Sequence, residues 1–239
     1  MPGAWLILPT YNEAVNIVPF VRAVLPELAE ASPEHRILIV DDDSPDGTGR
    51  IADGLARELE AVEVLHRREK AGLGVAYLAG FARALAGGAD LILEMDSDFS
   101  HSPADVPRLI AAAADADLVL GSRYVPGGGV TDWGLLRRAL SRGGSWYARL
   151  ILRVNVHDLT GGFKCFRREV LETLDLDAVH AEGYGFQIEL TYRASRAGFR
   201  VKEVPIVFRE RQAGLSKMNA RIALEAVWKV PALRLRRGV

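Results

Sequence analysis

The chain carries a single cysteine, Cys165, among its 239 residues. That excludes an internal disulfide and a cysteine-rich metal site, and it fits a reducing compartment. No window approaches the roughly 18–20 uninterrupted apolar residues of a membrane span. The most apolar late segment, residues 222–233, is broken by Glu225, Lys229 and Pro231. Residues 1–5, Met-Pro-Gly-Ala-Trp, lead straight into an apolar strand pattern, so no signal peptide is expected. Neither Gly-x-Gly-x-x-Gly nor Gly-x-x-x-x-Gly-Lys-Ser/Thr occurs, which disfavours dinucleotide and P-loop sites. Internal repeats and low-complexity linkers are also missing.

What is present is an ordinary globular composition, 49% hydrophobic and 26% charged, long enough for one substantial core. The net charge of −1 conceals a polarity. Residues 1–130 hold 20 Asp/Glu against 10 Lys/Arg, whereas residues 131–239 hold 11 against 20. Such a split points to a half that faces anions or a membrane surface. The Pro-Gly-Gly-Gly stretch at 126–129 divides the two.

In the first half, apolar strands at residues 5–8, 36–40, 62–65, 91–95 and 118–120 alternate with helical patterns. One helix follows Glu13, with Val15, Val18, Val21 and Leu25 on one side; others cover 72–86 and 103–114. Thr10 and Glu13 have capping-box spacing, with Asn12 the other candidate cap. Strands this apolar, joined by helices, predict an α/β fold with a mostly parallel sheet. The Ala- and Gly-rich stretch 71–89 predicts tight helix–sheet packing. In the second half, residues 135–154 combine an apolar periodicity with Arg137, Arg138, Arg142, Arg149 and Arg153 and no acid. A second basic amphipathic pattern runs from residue 218 to the end. Two such patterns favour binding at a membrane surface over two core helices with solvated basic faces.

The chemistry gathers at the strand ends. Asp41-Asp42-Asp43 closes the second strand, and Asp96-Ser97-Asp98 follows the fourth. Two acidic strand ends on one sheet edge need cations or hydrogen-bond donors. An Asp-x-Asp there suits Mg²⁺ or Mn²⁺ carrying a phosphorylated substrate. The alternative is a solvated acidic loop with helix-capping Asp and Ser residues.

A longer series of motifs sharpens this. Pro9-Thr-Tyr-Asn-Glu13, Asp41-Asp-Asp-Ser-Pro-Asp-Gly-Thr48, Lys70-Ala-Gly-Leu-Gly74 and Met95-Asp-Ser-Asp-Phe-Ser-His101 come first. Gly121-Ser-Arg-Tyr124, Trp133 with Arg137, Asp158-Leu-Thr-Gly161, Gly183-Tyr-Gly-Phe-Gln187 and Gly214-Leu-Ser-Lys217 follow. In this order and spacing the chain resembles the inverting family 2 glycosyltransferases of GT-A fold, and among them the dolichol-phosphate (polyprenol-phosphate) mannose synthases. The resemblance implies one catalytic domain over residues 1–239, with a nucleotide-sugar half to about 125 and an acceptor half beyond. It implies transfer of mannose from GDP-mannose to a polyprenyl phosphate, with Mg²⁺ or Mn²⁺ as cofactor and inversion at the sugar. Pro9, Tyr11, Glu13, Val40, Asp42, Asp96, Ser97 and Asp98 would bind the nucleotide sugar. Asp98 with Asp96 would hold the metal, and a relative's further ligand, a Gln, falls at Ser100, with His101 beside it. Asp98, Arg123, Arg137, Arg211 and Lys217 would form the catalytic set, the cations meeting the phosphates. A peripheral position at the cytoplasmic face of the membrane, room for a separate membrane-spanning partner and no nucleic-acid partner complete the expectation.

Competing readings are sugar transfer from another nucleotide sugar to the same lipid acceptor, a nucleotidyltransferase, and a catalytically silent membrane scaffold. A nucleotidyltransferase usually places a Gly-rich basic loop after its first strand, where this chain has Pro9-Thr-Tyr-Asn-Glu13. Lys70 reads either as a site residue or as a solvated loop residue, and Trp133 and Tyr184 as contact or core aromatics. Cys165 reads as a small core residue.

Overall fold

The computed structural model describes residues 2–179, 183–210, 228 and 230–235. A seven-stranded sheet forms its centre, in the order β3-β2-β1-β4-β7-β5-β8. The strands are β1 (Ala4–Thr10), β2 (His35–Asp41), β3 (Val62–His66), β4 (Leu91–Glu94), β5 (Leu118–Ser122), β7 (Lys164–Arg167) and β8 (Val201–Pro205). Two short strands, β6 (Gly129–Val130) and β9 (Val207–Phe208), pair with each other beside it. The helices are α1 (Ile17–Ala31), α2 (Thr48–Glu58), α3 (Leu73–Ala86), α4 (Val106–Ala112), α5 (Leu135–Leu152), α6 (Arg168–Thr173) and α7 (Tyr184–Arg196).

Side-chain alternation explains the layers. Ala4, Leu6 and Leu8 of β1 face one core with α1, α2 and α4. Trp5 and Ile7 face the other, with α3, α5, α6 and α7. Both sheet faces are therefore covered, as apolar parallel strands require. The expected tight packing of α3 is real. A Cβ on Gly80 would come 2.4 Å from Ile7 Cγ2, so only glycine lets this helix reach the sheet.

One expectation needs correction, and the sheet reaches beyond the strands read from the first half of the sequence: β7 inserts antiparallel between β4 and β5, and β8 extends the edge. The first helix begins at Ile17, with no side-chain cap. The Thr10 hydroxyl donates instead to Asp41 Oδ1 (3.1 Å), and Glu13 accepts from Asn16 Nδ2 (2.8 Å). Both members of the supposed capping box are thus used to tie the β1 and β2 strand ends and the loop.

The chain crosses from β1 to β2 and β3 on one side, then returns to β4 on the other. The β1–β4 boundary is a topological switch point, where open α/β sheets leave a crevice at their carboxyl ends.

Candidate active site

The crevice exists and is a cleft of about 330 Å³. Pro9, Thr10, Tyr11 and Glu13 line it from the end of β1, Asp42 from the end of β2, and Asp96, Ser97 and Asp98 from beyond β4. The opposite side is built by His101, Arg123, Trp133, Arg137, Thr160, Gln187, Phe208 and Glu210. Nine of the sequence-predicted residues thus meet in one place: Pro9, Tyr11, Glu13, Asp42, Asp96, Ser97, Asp98, Arg123 and Arg137.

The acidic loop is held by its backbone. Phe99 takes a left-handed conformation (φ 61°), uncommon for so bulky a residue. Its ring packs edge-on against Phe20 at 5.0 Å, which anchors the turn in the core. The turn lets the Ser100 N–H donate to Asp98 Oδ1 at 3.0 Å, fixing a carboxylate that is only 2% exposed. Across the cleft mouth, Lys70 Nζ sits 3.9 Å from the centre of the Tyr11 ring, a cation–π contact that makes Lys70 part of the wall. Asp42 is ion-paired with Arg67 at 2.7 Å. Burial lifts the Asp42 carboxyl above its ordinary range, and Arg67 offsets only part of that.

Arg123 is seated more firmly than its motif foretold. Its Nε and Nη2 donate to the two Asp158 oxygens at 2.7 and 2.6 Å, and Nη2 also reaches Thr160 Oγ1 at 2.8 Å. Burial alone would raise the Asp158 carboxyl, but the Arg123 guanidinium and its hydrogen bonds outweigh burial and hold it below 3.8. The Asp158 loop is itself tied down, since the backbone N–H groups of His157 and Asp158 donate to Glu203. Arg123 also stacks among Tyr124, Trp133 and Phe208, with ring centres 5.2 to 5.7 Å away. Arg137, from the first turn of α5, lies over the Trp133 ring at 4.2 Å and pairs with Glu210 at 2.7 Å. His101 is buried between Phe163 and Phe208. Desolvation pushes its pKa down to about 4, so its ring is neutral near pH 7.

Sequence reasoning missed the floor. Glu94 on β4 lies directly opposite Lys164 on β7, and both are fully buried. Lys164 Nζ is 3.2 Å from Glu94 Oε1, an ion-pair contact without hydrogen-bond angles. Burial raises the carboxyl and lowers the ammonium, each partly offset by the other. No local pattern marks this pair, because its members lie on different strands.

Two predicted residues do not reach the cleft wall. The Val40 side chain is fully buried in the α3-side core, where it packs beneath Gly80. Ser100 Oγ is buried without a hydrogen-bond partner, off the lining. Arg211 and Lys217 lie outside the described residues, as does the side chain of Tyr184. Among the described residues no cluster of three or more His, Cys, Asp or Glu could hold a metal by itself. Asp96 and Asp98 nevertheless suit a hard cation that takes one or two carboxylates and completes its shell with substrate phosphates. Cys165 is a core residue, its thiol pushed up to about 12 by burial. Among the described residues, no helix is long and apolar enough to cross a membrane.

Over residues 5–175 the chain matches glycosyl transferase family 2. It is 51% identical over 227 residues to a polyprenol monophosphomannose synthase of Mycolicibacterium smegmatis, covering 94% of this chain and 84% of that protein. An undecaprenyl-phosphate mannosyltransferase of Micrococcus luteus is 49% identical over 224 residues, covering 94% of this chain and 90% of its own length. Among solved structures, glucosyl-3-phosphoglycerate synthase from Mycobacterium tuberculosis, with Mn²⁺, UDP-glucose and phosphoglyceric acid, superposes with TM-score 0.73 at 20% identity. That likeness covers 98% of this chain and 80% of that one, and it is one of fold. The resemblance read from the motifs is thereby borne out. With the match running from the first strand through the β7 insertion, the protein belongs to glycosyl transferase family 2 and is a glycosyltransferase of GT-A-like α/β fold.

Proposed function

We propose that the protein transfers mannose from GDP-mannose to a polyprenyl phosphate, releasing GDP and inverting the anomeric carbon. The observation that carries this reading is the position of α5. Its first turn puts Arg137 on the cleft wall while its neighbours Leu135, Leu136 and Leu140 stand exposed. A phosphate can therefore meet the cleft where its hydrocarbon tail meets an apolar helix face. The two curated relatives, both named for polyprenyl-phosphate mannose chemistry, support the same acceptor and sugar.

The nucleotide sugar lies against Pro9, Tyr11, Glu13, Asp42 and Ser97, with its diphosphate toward Asp96 and Asp98. Asp98 and Asp96 would hold a Mg²⁺ or Mn²⁺ ion, which would supply positive charge to the leaving diphosphate. The acceptor's second pKa is near 6, so its phosphate oxygen is mostly ionised at neutral pH and needs no strong general base. That oxygen bonds to the anomeric carbon from the face opposite the diphosphate, and the bond to the diphosphate oxygen breaks. No proton has to move. Two anions must instead be brought together, which is the task of Arg123 and Arg137, and of Arg211 and Lys217 by family resemblance. Arg123 is pre-aimed by Asp158, so little conformational freedom is lost when a phosphate arrives.

The exposed α5 face, with Arg138 and Arg142 beside its leucines and Trp146, docks at the membrane surface on the cytoplasmic side. The test is incubation of the protein with radiolabelled GDP-mannose, Mg²⁺ and a polyprenyl phosphate. Lipid-extractable label that excess unlabelled UDP-glucose leaves untouched is the expected result. Label abolished by UDP-glucose would reassign the donor, and no lipid label would overturn the reading.

A further inference from the structure

We infer that the Glu210 carboxylate holds the place of the acceptor phosphate on Arg137 and is displaced by it, so that Glu210 sets how readily a lipid phosphate enters the cleft. This rests on the proposed function and deepens it. Arg137 and Glu210 both line the cleft, and Arg137 Nη1 donates to Glu210 Oε1 at 2.7 Å. A carboxylate and a phosphate monoester offer a guanidinium the same chemistry, since both are oxygen anions that accept from its N–H groups. Arg137 carries one positive charge. A phosphate that joined Glu210 on it would stand beside a like charge, so the carboxylate must give way.

Burial decides which ion pair opens. Arg123 and Asp158 have side chains 5% and 0% exposed, and separating them would strand a buried charge. The Glu210 side chain is 48% exposed, so its carboxylate returns to water at little cost. Of these two arginines on the cleft wall, Arg137 is the one whose anion can be exchanged.

The surroundings keep Arg137 in place through that exchange. Its guanidinium lies 4.2 Å from the centre of the Trp133 ring, a contact that does not depend on Glu210. The chain leading to Glu210 is pinned just before it. Phe208 pairs with Val130 in the β6–β9 ladder, and the Arg209 N–H donates to the Ser100 backbone oxygen at 2.9 Å. The carboxylate can therefore swing away without disturbing either strand. The first turn of α5, which carries Arg137, has no acidic residue and no side-chain cap. Glu210 supplies an anion to this positive helix start from elsewhere in the chain. Leu135 and Leu136 stand exposed on the same turn, where the proposed function brings in the lipid.

The experiment measures kcat and KM for polyprenyl phosphate, at saturating GDP-mannose and Mg²⁺, in the wild type, Glu210→Gln, Arg137→Met and the double variant. Melting curves check folding, and Arg137→Gln replaces Arg137→Met if that variant does not fold. Glu210→Gln should lower KM for the lipid by about two- to fivefold, the range an exposed ion pair contributes. KM for GDP-mannose should not move, and in the Arg137→Met background the Glu210 substitution should have no further effect. A merely structural Glu210 would instead raise KM or lower kcat. Inorganic phosphate, used as a competitor of the lipid, should inhibit Glu210→Gln more strongly by the same factor. A lower lipid KM with unchanged phosphate inhibition would place the gain in the hydrocarbon tail and overturn the exchange. An unchanged or raised KM in Glu210→Gln, or an equal fall in the Arg137→Met background, also overturns it while leaving the proposed function intact. A wild type that transfers no mannose to lipid overturns both.

Discussion

In the floor of the cleft, Glu94 and Lys164 are fully buried and face each other, with Gln187 bonded to the lysine. On the outer face of α5 the reverse holds: Leu135, Leu136, Leu140, Trp146 and Leu150 are exposed among arginines. The floor uses charge where water is excluded, so its geometry is set by the protein alone. The helix face leaves apolar surface in water, which a folded protein tolerates where something else covers it. One region is closed to water, and the proposed function has the other meet a membrane surface. The cleft lies between them, which is the arrangement a lipid phosphate and a water-soluble nucleotide sugar require.

The sharpest way to break this contrast is to remove one partner of a buried pair. Lys164→Met strands Glu94 and should cost about 3–5 kcal/mol in urea unfolding, while Glu94→Leu together with Lys164→Met should recover most of it. A loss below 1 kcal/mol would show that water reaches the floor. Asp158→Asn should cost a similar amount at neutral pH, because Arg123 keeps its charge. The folded Asp158 carboxyl is held below 3.8, so its contribution is complete above that pH and fades as pH falls through the lower folded-state value. Wild type and variant should therefore converge only in strong acid.

Next in size is Asp98→Ala. Transfer should fall by about 10²–10³-fold, the scale of losing a main electrostatic contact, with an unchanged melting temperature. Turnover like the wild type's would remove the case for a metal at this loop. Gly80→Ala should follow, at about 1–3 kcal/mol, since its methyl group has no room against Ile7. The smallest stability effect belongs to α5. Leu140→Ser should change unfolding by less than about 0.5 kcal/mol yet weaken cosedimentation with anionic vesicles, which salt should also reverse. A variant that unfolds easily would mean this face is packed, not free.

The same two regions differ in how far the sequence discloses them. Strands β1 to β5 are apolar runs between helical patterns, and the two acidic strand ends mark the cleft edge in the sequence itself. β7 escapes because it is four residues long, carries a lysine into the sheet and owes that lysine to Glu94 on another strand. Arg123 is visible as part of a motif, but its partner Asp158 is 35 residues away, and no local spacing links them. Thr10 and Glu13 show the opposite failure: a local capping pattern that bonds across the β1 and β2 strand ends overrode. The amphipathic pattern of α5 was plain, whereas Arg137 turning inward to the cleft while its neighbours face out depends on where the helix docks.

In the proposed reaction a phosphate, not a hydroxyl, receives the sugar in this cleft. The direct test supplies radiolabelled GDP-mannose and Mg²⁺ with either polyprenyl phosphate or the matching polyprenol. Label in the lipid fraction with the phosphate alone is the predicted result; equal transfer to the free alcohol would contradict it.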